Sequence, residues 1–142
     1  ALTALAERER GTHVAVDYIN PLTRGPVLPT IACEMHCLLP GPPTGSHREV
    51  GNRIWVAFRG SGQSVIAGTA FEWRAGDIFV IPSWAPVQHE VESVADLFVL
   101  SDRPIHQALG LFRAEDVESP QTVTADFAPR RYPPDPGDQR PK

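Results

Sequence analysis

The sequence is short of several things that would place it quickly. Thirteen lysines and arginines face seventeen aspartates and glutamates, a net charge of −4, so no basic excess is available for nucleic acid or an anionic membrane. No run approaches the ~20 apolar residues of a membrane span, and the N-terminus lacks the apolar stretch of a secretory signal. A cytoplasmic setting is therefore expected. The first residue is alanine rather than methionine, which leaves processing, excision or renumbering open. Only two cysteines occur, Cys33 and Cys37, in a stretch that reads as a strand. Four residues of strand separate their Cα atoms by about 13 Å, beyond the roughly 7 Å limit of a disulfide. They read as small buried hydrophobes, with a CxxxC metal pair as the alternative. There is no internal repeat, and 142 residues make one domain with a real core.

Fifteen prolines and eleven glycines cut the chain into short segments. Strands are expected at residues 12–17, 27–39, 53–59, 63–66, 78–81, 87–91 and 95–100, with a hairpin turn at Gly60-Ser61-Gly62 and another turn at residues 67–69. Short, evenly spaced strands with turn signals between them describe an all-β sandwich or barrel. One helix is expected, capped by Ser101-Asp102, with Pro104 in its first turn and Ile105, Leu109 and Phe112 on one face. His106 on it reads as a surface or capping residue. ALTALAERER could add a short N-terminal helix. From Pro120 onward the chain is proline-rich and charged, as an extended or disordered tail is. The expected divisions are an extension at 1–11, the barrel and helix at 12–115, and the tail at 116–142.

Several strands are apolar on both faces. In RIWVAFR, Ile54, Val56 and Phe58 take one side and Trp55 and Ala57 the other. A small sandwich needs only one buried face, so a second subunit or a partner domain is expected to cover the other, with the terminal segments covering part.

Polar residues inside a barrel are costly unless paired or coordinating something. His47 and Glu49, two apart, share one face of an extended segment. His89 follows a strand and a Pro82–Pro86 bend that turns it toward the same interior, and His36 lies in phase with Glu34 and Leu38. The aromatic residues Trp55, Trp73 and Trp84 read as core and rim, and Asp77 as a turn former. His89 fits equally a buried histidine satisfied by hydrogen bonds.

Gly41, His47, Glu49 and Gly60, then Gly76, Pro82 and His89, resemble the two cupin motifs. DYINPLTRGPVLPTIACEMHCLLPG, FEWRAGDIFVIPSWAPVQHE and SDRPIHQALGLFRAE, over roughly residues 17–115, resemble the C-terminal cupin domain of gentisate 1,2-dioxygenase and its salicylate and 1-hydroxy-2-naphthoate relatives. The resemblance implies a single cupin, a double-stranded β-helix or jelly-roll barrel with one short helix. It implies a mononuclear metal, Fe(II) or another divalent ion, on His47, Glu49 and His89, since two histidines and a carboxylate suit non-haem iron. The implied substrates are a small hydroxylated aromatic acid and O2, and the implied partner is a second copy or another cupin. In that family two cupins share a chain and the catalytic iron sits on three histidines of the N-terminal one. Arg53 stands where some cupins place a glutamate ligand. It either pairs with Glu49 or binds a substrate carboxylate bidentately. His36 is a substrate contact, a fourth ligand or a packed histidine. Three classes follow: a ring-cleaving dioxygenase, a silent cupin serving oligomerisation or small-molecule binding, and a metal-free acid–base isomerase.

Overall fold

The structure, a computed structural model, describes residues 12–127. The expectations for ALTALAERER and for the tail beyond Phe127 lie outside the described residues. Eleven strands and one helix follow in chain order: β1 (His13–Tyr18), β2 (Ala32–Leu38), β3 (Ser46–Glu49), β4 (Arg53–Arg59), β5 (Ser61–Ile66), β6 (Thr69–Arg74), β7 (Ile78–Ile81), β8 (Val87–Glu90), β9 (Ala95–Ser101), α1 (Arg103–Ala108), β10 (Ala114–Val117) and β11 (Ala125–Phe127). They form a five-stranded sheet, β1-β2-β9-β4-β7, facing a six-stranded sheet, β10-β3-β8-β5-β6-β11. All pairings are antiparallel except that of β11 with β6. From β2 to β5, and again from β6 to β9, each strand lies in the sheet opposite its predecessor. The inward side chains of both sheets, among them Leu38, Trp55, Ile66, Trp73, Ile81, Leu97 and Val99, close the core between them. This is the all-β jelly-roll expected of a cupin.

The alternation in β4 governs the architecture. Arg53, Trp55 and Ala57 are buried, while Ile54 and Phe58 are exposed, as period-two geometry requires. The hairpin expected at Gly60-Ser61-Gly62 is not one. β4 pairs with β9 and β7, whereas β5 pairs with β6 and β8, so the chain changes sheets there. Gly60 makes the corner at φ +83°, and a Cβ on it would sit 2.7 Å from the Val94 carbonyl oxygen and 2.8 Å from Ala95. Crowding as well as backbone hand demands glycine. The hairpin of this region is the next turn, where Ile66 pairs with Thr69 around Ala67-Gly68.

Two other expectations change. The strand foreseen over 27–39 starts only at Ala32. Leu28 and Ile31 exchange backbone hydrogen bonds of 3.2 and 3.3 Å around Pro29-Thr30, a tight turn that an uninterrupted strand cannot contain. The helix stops at Ala108, and of its residues only Pro104 is buried. Ile105 and Leu109 are exposed, so the apolar face has no surface to meet. The Asp102 carboxylate makes no cap bond; it accepts from the Asn52 backbone N–H at 2.8 Å and from Asn52 Nδ2 at 3.2 Å. Gly110, at φ +68°, ends the helix in a Schellman pattern, with Gly110 N–H bonded to Gln107 O and Leu111 N–H to His106 O.

The sheet also goes on past residue 115. β10 runs through Val117 along β3, and β11 adds to β6 at residues 125–127. Between them Gln121 is held by Gln88 and Val65. Among the described residues no helix is long and apolar enough to cross a membrane.

Candidate functional site

A cavity of about 590 Å³ opens between the sheets, walled by His13, Glu34, His36, His47, Glu49, Arg53, Trp55, His89, Arg103 and Asp116 together with smaller residues. It holds every site residue expected from the sequence: His36, His47, Glu49, Arg53 and His89. His13, Ser64, Arg103 and Asp116 carry no local pattern that marks them as site residues, and Glu34 stands out in the sequence only by its phase with His36. His106 is not in the wall; it lies on the helix, 3.4 Å from Asp102.

Strand geometry explains the convergence. On β2, Glu34 and His36 share the inner face. β1 pairs with β2 so that Ala15 faces His36 and His13 faces Leu38, which puts His13 diagonally beside His36. Ser64 lies directly opposite His89 on β5 and β8. His89 is further tied to the loop before β3, its N–H donating to Thr44 Oγ1 at 2.8 Å. The Trp55 ring packs against two imidazoles, its centroid 4.6 Å from that of His36 and 4.7 Å from that of His89.

Three polar chains run through the wall. In the first, Arg103 Nη2 donates to Glu34 Oε1, Glu34 Oε2 lies 3.1 Å from His36 Nε2, and His36 Nδ1 lies 2.7 Å from His13 Nε2. A carboxylate only accepts, so His36 Nε2 carries the proton of its contact with Glu34. Burial, then the neighbouring His36, lowers the His13 pKa to about 4. Burial raises that of Glu34, but the His36 hydrogen bond and the Arg103 charge outweigh it and bring the carboxyl down to about 2. In the second chain, Asp116 Oδ1 lies 2.9 Å from His47 Nδ1, His47 Nε2 lies 3.4 Å from Glu49 Oε2, and Glu49 Oε1 lies 3.6 Å from Arg53 Nε. The bond to Glu49, against partial burial, raises the His47 pKa. In the third, Trp73 Nε1–H donates to Ser64 Oγ at 2.8 Å, and Ser64 Oγ lies 2.7 Å from His89 Nδ1. Burial drives the His89 pKa well below its ordinary value, so this ring is neutral.

As arranged, the trio of His47, Glu49 and His89 does not fit a metal ion. Both nitrogens of His47 face carboxylates and both oxygens of Glu49 face cations; Nδ1 of His89 is bound to Ser64, a contact compatible with ligation through Nε2. Among the described residues no three His, Cys, Asp or Glu side chains are grouped as ligands. A guanidinium stands beside the only carboxylate of the trio, and it repels a dication.

The same wall has a surplus of donors. Arg53 is 5% exposed, and its Nε and Nη2 atoms have no hydrogen-bond partner; neither do Trp55 Nε1 or Arg103 Nε. Burial lowers the Arg53 pKa against the pull of Glu49. Trp84 lies away from these groups. Its ring is covered on the surface by Arg48 at 4.7 Å and Arg113 at 4.8 Å, while Asp77 closes the turn it was assigned, accepting from Arg74 N–H at 2.9 Å.

No family model matches the chain. It is 36% identical over 118 residues to a 5-aminosalicylate 1,2-dioxygenase of Comamonas, covering 80% of this chain and 32% of that protein. It is 40% identical over 101 residues to a gentisate 1,2-dioxygenase of Streptomyces, covering 71% of this chain and 28% of the other. The salicylate 1,2-dioxygenase of Pseudoaminobacter salicylatoxidans, solved with gentisate, superposes with a TM-score of 0.74 at 38% identity over 82% of this chain and 33% of that one. A cupin-2 domain from Rhodospirillum rubrum, at 14% identity and a TM-score of 0.55, shares the fold alone. The chain spans about a third of the length of the curated relatives it matches. Over the part it shares with them, this chain is a cupin that resembles the gentisate, salicylate and 1-hydroxy-2-naphthoate dioxygenases.

Proposed function

We propose that the chain is the iron-free cupin of a larger ring-cleaving dioxygenase, which opens a hydroxylated or aminated aromatic carboxylate with O2. The mononuclear iron that such chemistry calls for is held by another cupin. Similarity to 5-aminosalicylate, gentisate and salicylate dioxygenases supports the reaction class. The observation that carries the division of labour is the engagement of Glu49 between His47 and Arg53. It leaves the expected trio without a carboxylate for a facial triad. The outer apolar face of the five-stranded sheet, exposing Ile54, Phe58, Ile78 and Val80, supports assembly with a second copy or a partner cupin.

Metal content and turnover test this together. The purified chain, given excess Fe(II) without air and then desalted, should retain less than about a tenth of an equivalent of iron. It should also show no growth of ring-opening absorbance with gentisate, salicylate or 5-aminosalicylate under air. Stoichiometric iron together with turnover, both lost in His89→Ala, would overturn the proposal.

A further inference from the structure

We infer that the cavity of this cupin is itself a binding site for a small aryl carboxylate, with Arg53 receiving the carboxylate and Trp55 and His89 in the wall around the ring. The inference rests on the reading that no iron occupies this pocket.

A guanidinium carries five N–H donors in a planar fork and cannot discharge itself by losing a proton. Burying it without acceptors is among the costlier arrangements a fold can keep. Arg53 is in that position at two of its three nitrogens, Nε and Nη2. Glu49 gives it a neighbouring charge, but at 3.6 Å from Nε that carboxylate lies outside hydrogen-bond reach, and its other oxygen is directed to His47. Nε and Nη2 are left without partners. Arg103 differs, because its Nη2 donates to Glu34. It shares only the orphaned Nε.

The imbalance has one direction. Four buried donors on three wall residues, Arg53, Trp55 and Arg103, lack partners, and no wall residue among those described has a buried acceptor in that state. A ligand that matches such a wall brings acceptors and few donors, as a carboxylate does. The remaining wall selects the body. The Trp55, His36 and His89 rings, packed on one another, make that part of the wall aromatic, surroundings that favour an aromatic body. The volume, about 590 Å³, lies inside the roughly 300–1,000 Å³ of small-molecule sites.

Salicylate is the probe. The 142-residue chain, stripped of metal and dialysed free of chelator, is titrated with salicylate by calorimetry and tryptophan fluorescence. Saturable one-to-one binding is expected, with cyclohexanecarboxylate weaker. The double variant Glu49→Gln/Arg53→Gln removes both charges of the pair together, so neither is stranded, and it should weaken salicylate by at least about tenfold. Should that variant fail to fold by circular dichroism, Arg53→Lys keeps the charge and loses the fork, and several-fold weakening is expected. Absence of saturable binding at millimolar salicylate would overturn the inference, as would parental affinity in a folded variant. The two readings fail separately. Iron uptake with turnover would remove the iron-free reading, whereas a flat metal-free titration would leave that reading standing and remove this one.

Discussion

At the scale of single residues the wall is a set of proton and charge decisions. Free histidine titrates near 6.5, and His13 in the fold at about 4. Between those values the unfolded chain binds a proton that the folded chain refuses, so stability falls as pH falls from about 6.5 to 4. Glu34 runs the other limb. Its carboxyl, at about 2 in the fold, adds stability that is complete above the ordinary carboxylate range and is lost as pH drops through that range toward 2. Urea unfolding across this range should therefore give a falling free energy, and His13→Asn should lessen the fall between about pH 6.5 and 4. An unchanged slope in that variant would contradict the assignment to His13. Its role was hidden in the sequence for a definite reason. The strand of residues 12–17 was legible, but the neighbour of His13 is fixed by the pairing of β1 with β2, a contact between segments some twenty residues apart that local pattern does not encode. His36, His47, Glu49 and His89 were legible because each sits two residues, or one short bend, from another polar group on an otherwise apolar face, and Arg53 through its place in the motif that resembles a cupin's.

At the scale of elements, period-two alternation was enough to place β4, β7 and β9, yet it could not say which sheet each joins. Gly60-Ser61-Gly62 is the sharpest case. The same three residues suit a hairpin and a corner, and only the Val94–Ala95 segment packed against Gly60 decides between them. Gly60→Ala should thus cost about 1–3 kcal/mol from the positive φ alone, with more from the crowded Cβ. Thermal or denaturant unfolding would measure it, and a loss within about 0.5 kcal/mol would mean that the corner tolerates a side chain. The helix teaches the converse. Ile105, Leu109 and Phe112 have helical spacing, but α1 stops at Ala108, and Ile105 and Leu109 are exposed while Phe112, beyond the helix, is half-buried. Periodicity states which residues share a face, and the rest of the fold decides whether that face is covered.

At the scale of the whole molecule, the five-stranded sheet carries two apolar rows across its outer side. Strand register aligns Ile78, Val56, Phe98, Met35 and Val16 in one, and Val80, Ile54, Leu100, Cys33 and Tyr18 in the other. Together they make the face that the apolar pattern of RIWVAFR required to be covered. Light scattering should give the chain a mass above that of one copy, and Ile78→Lys/Val80→Lys should return it to a single copy with its circular dichroism intact. A parent mass of one copy would show that this face does not join copies of the chain.

The alternation along β4 has a mechanical result. Ile54 and Val56 look outward from the same few ångströms of backbone that hold Arg53 and Trp55 inward. Pressure on the exterior row is thereby a displacement of the cavity wall one residue away, and the pocket takes its final shape only when its back is supported.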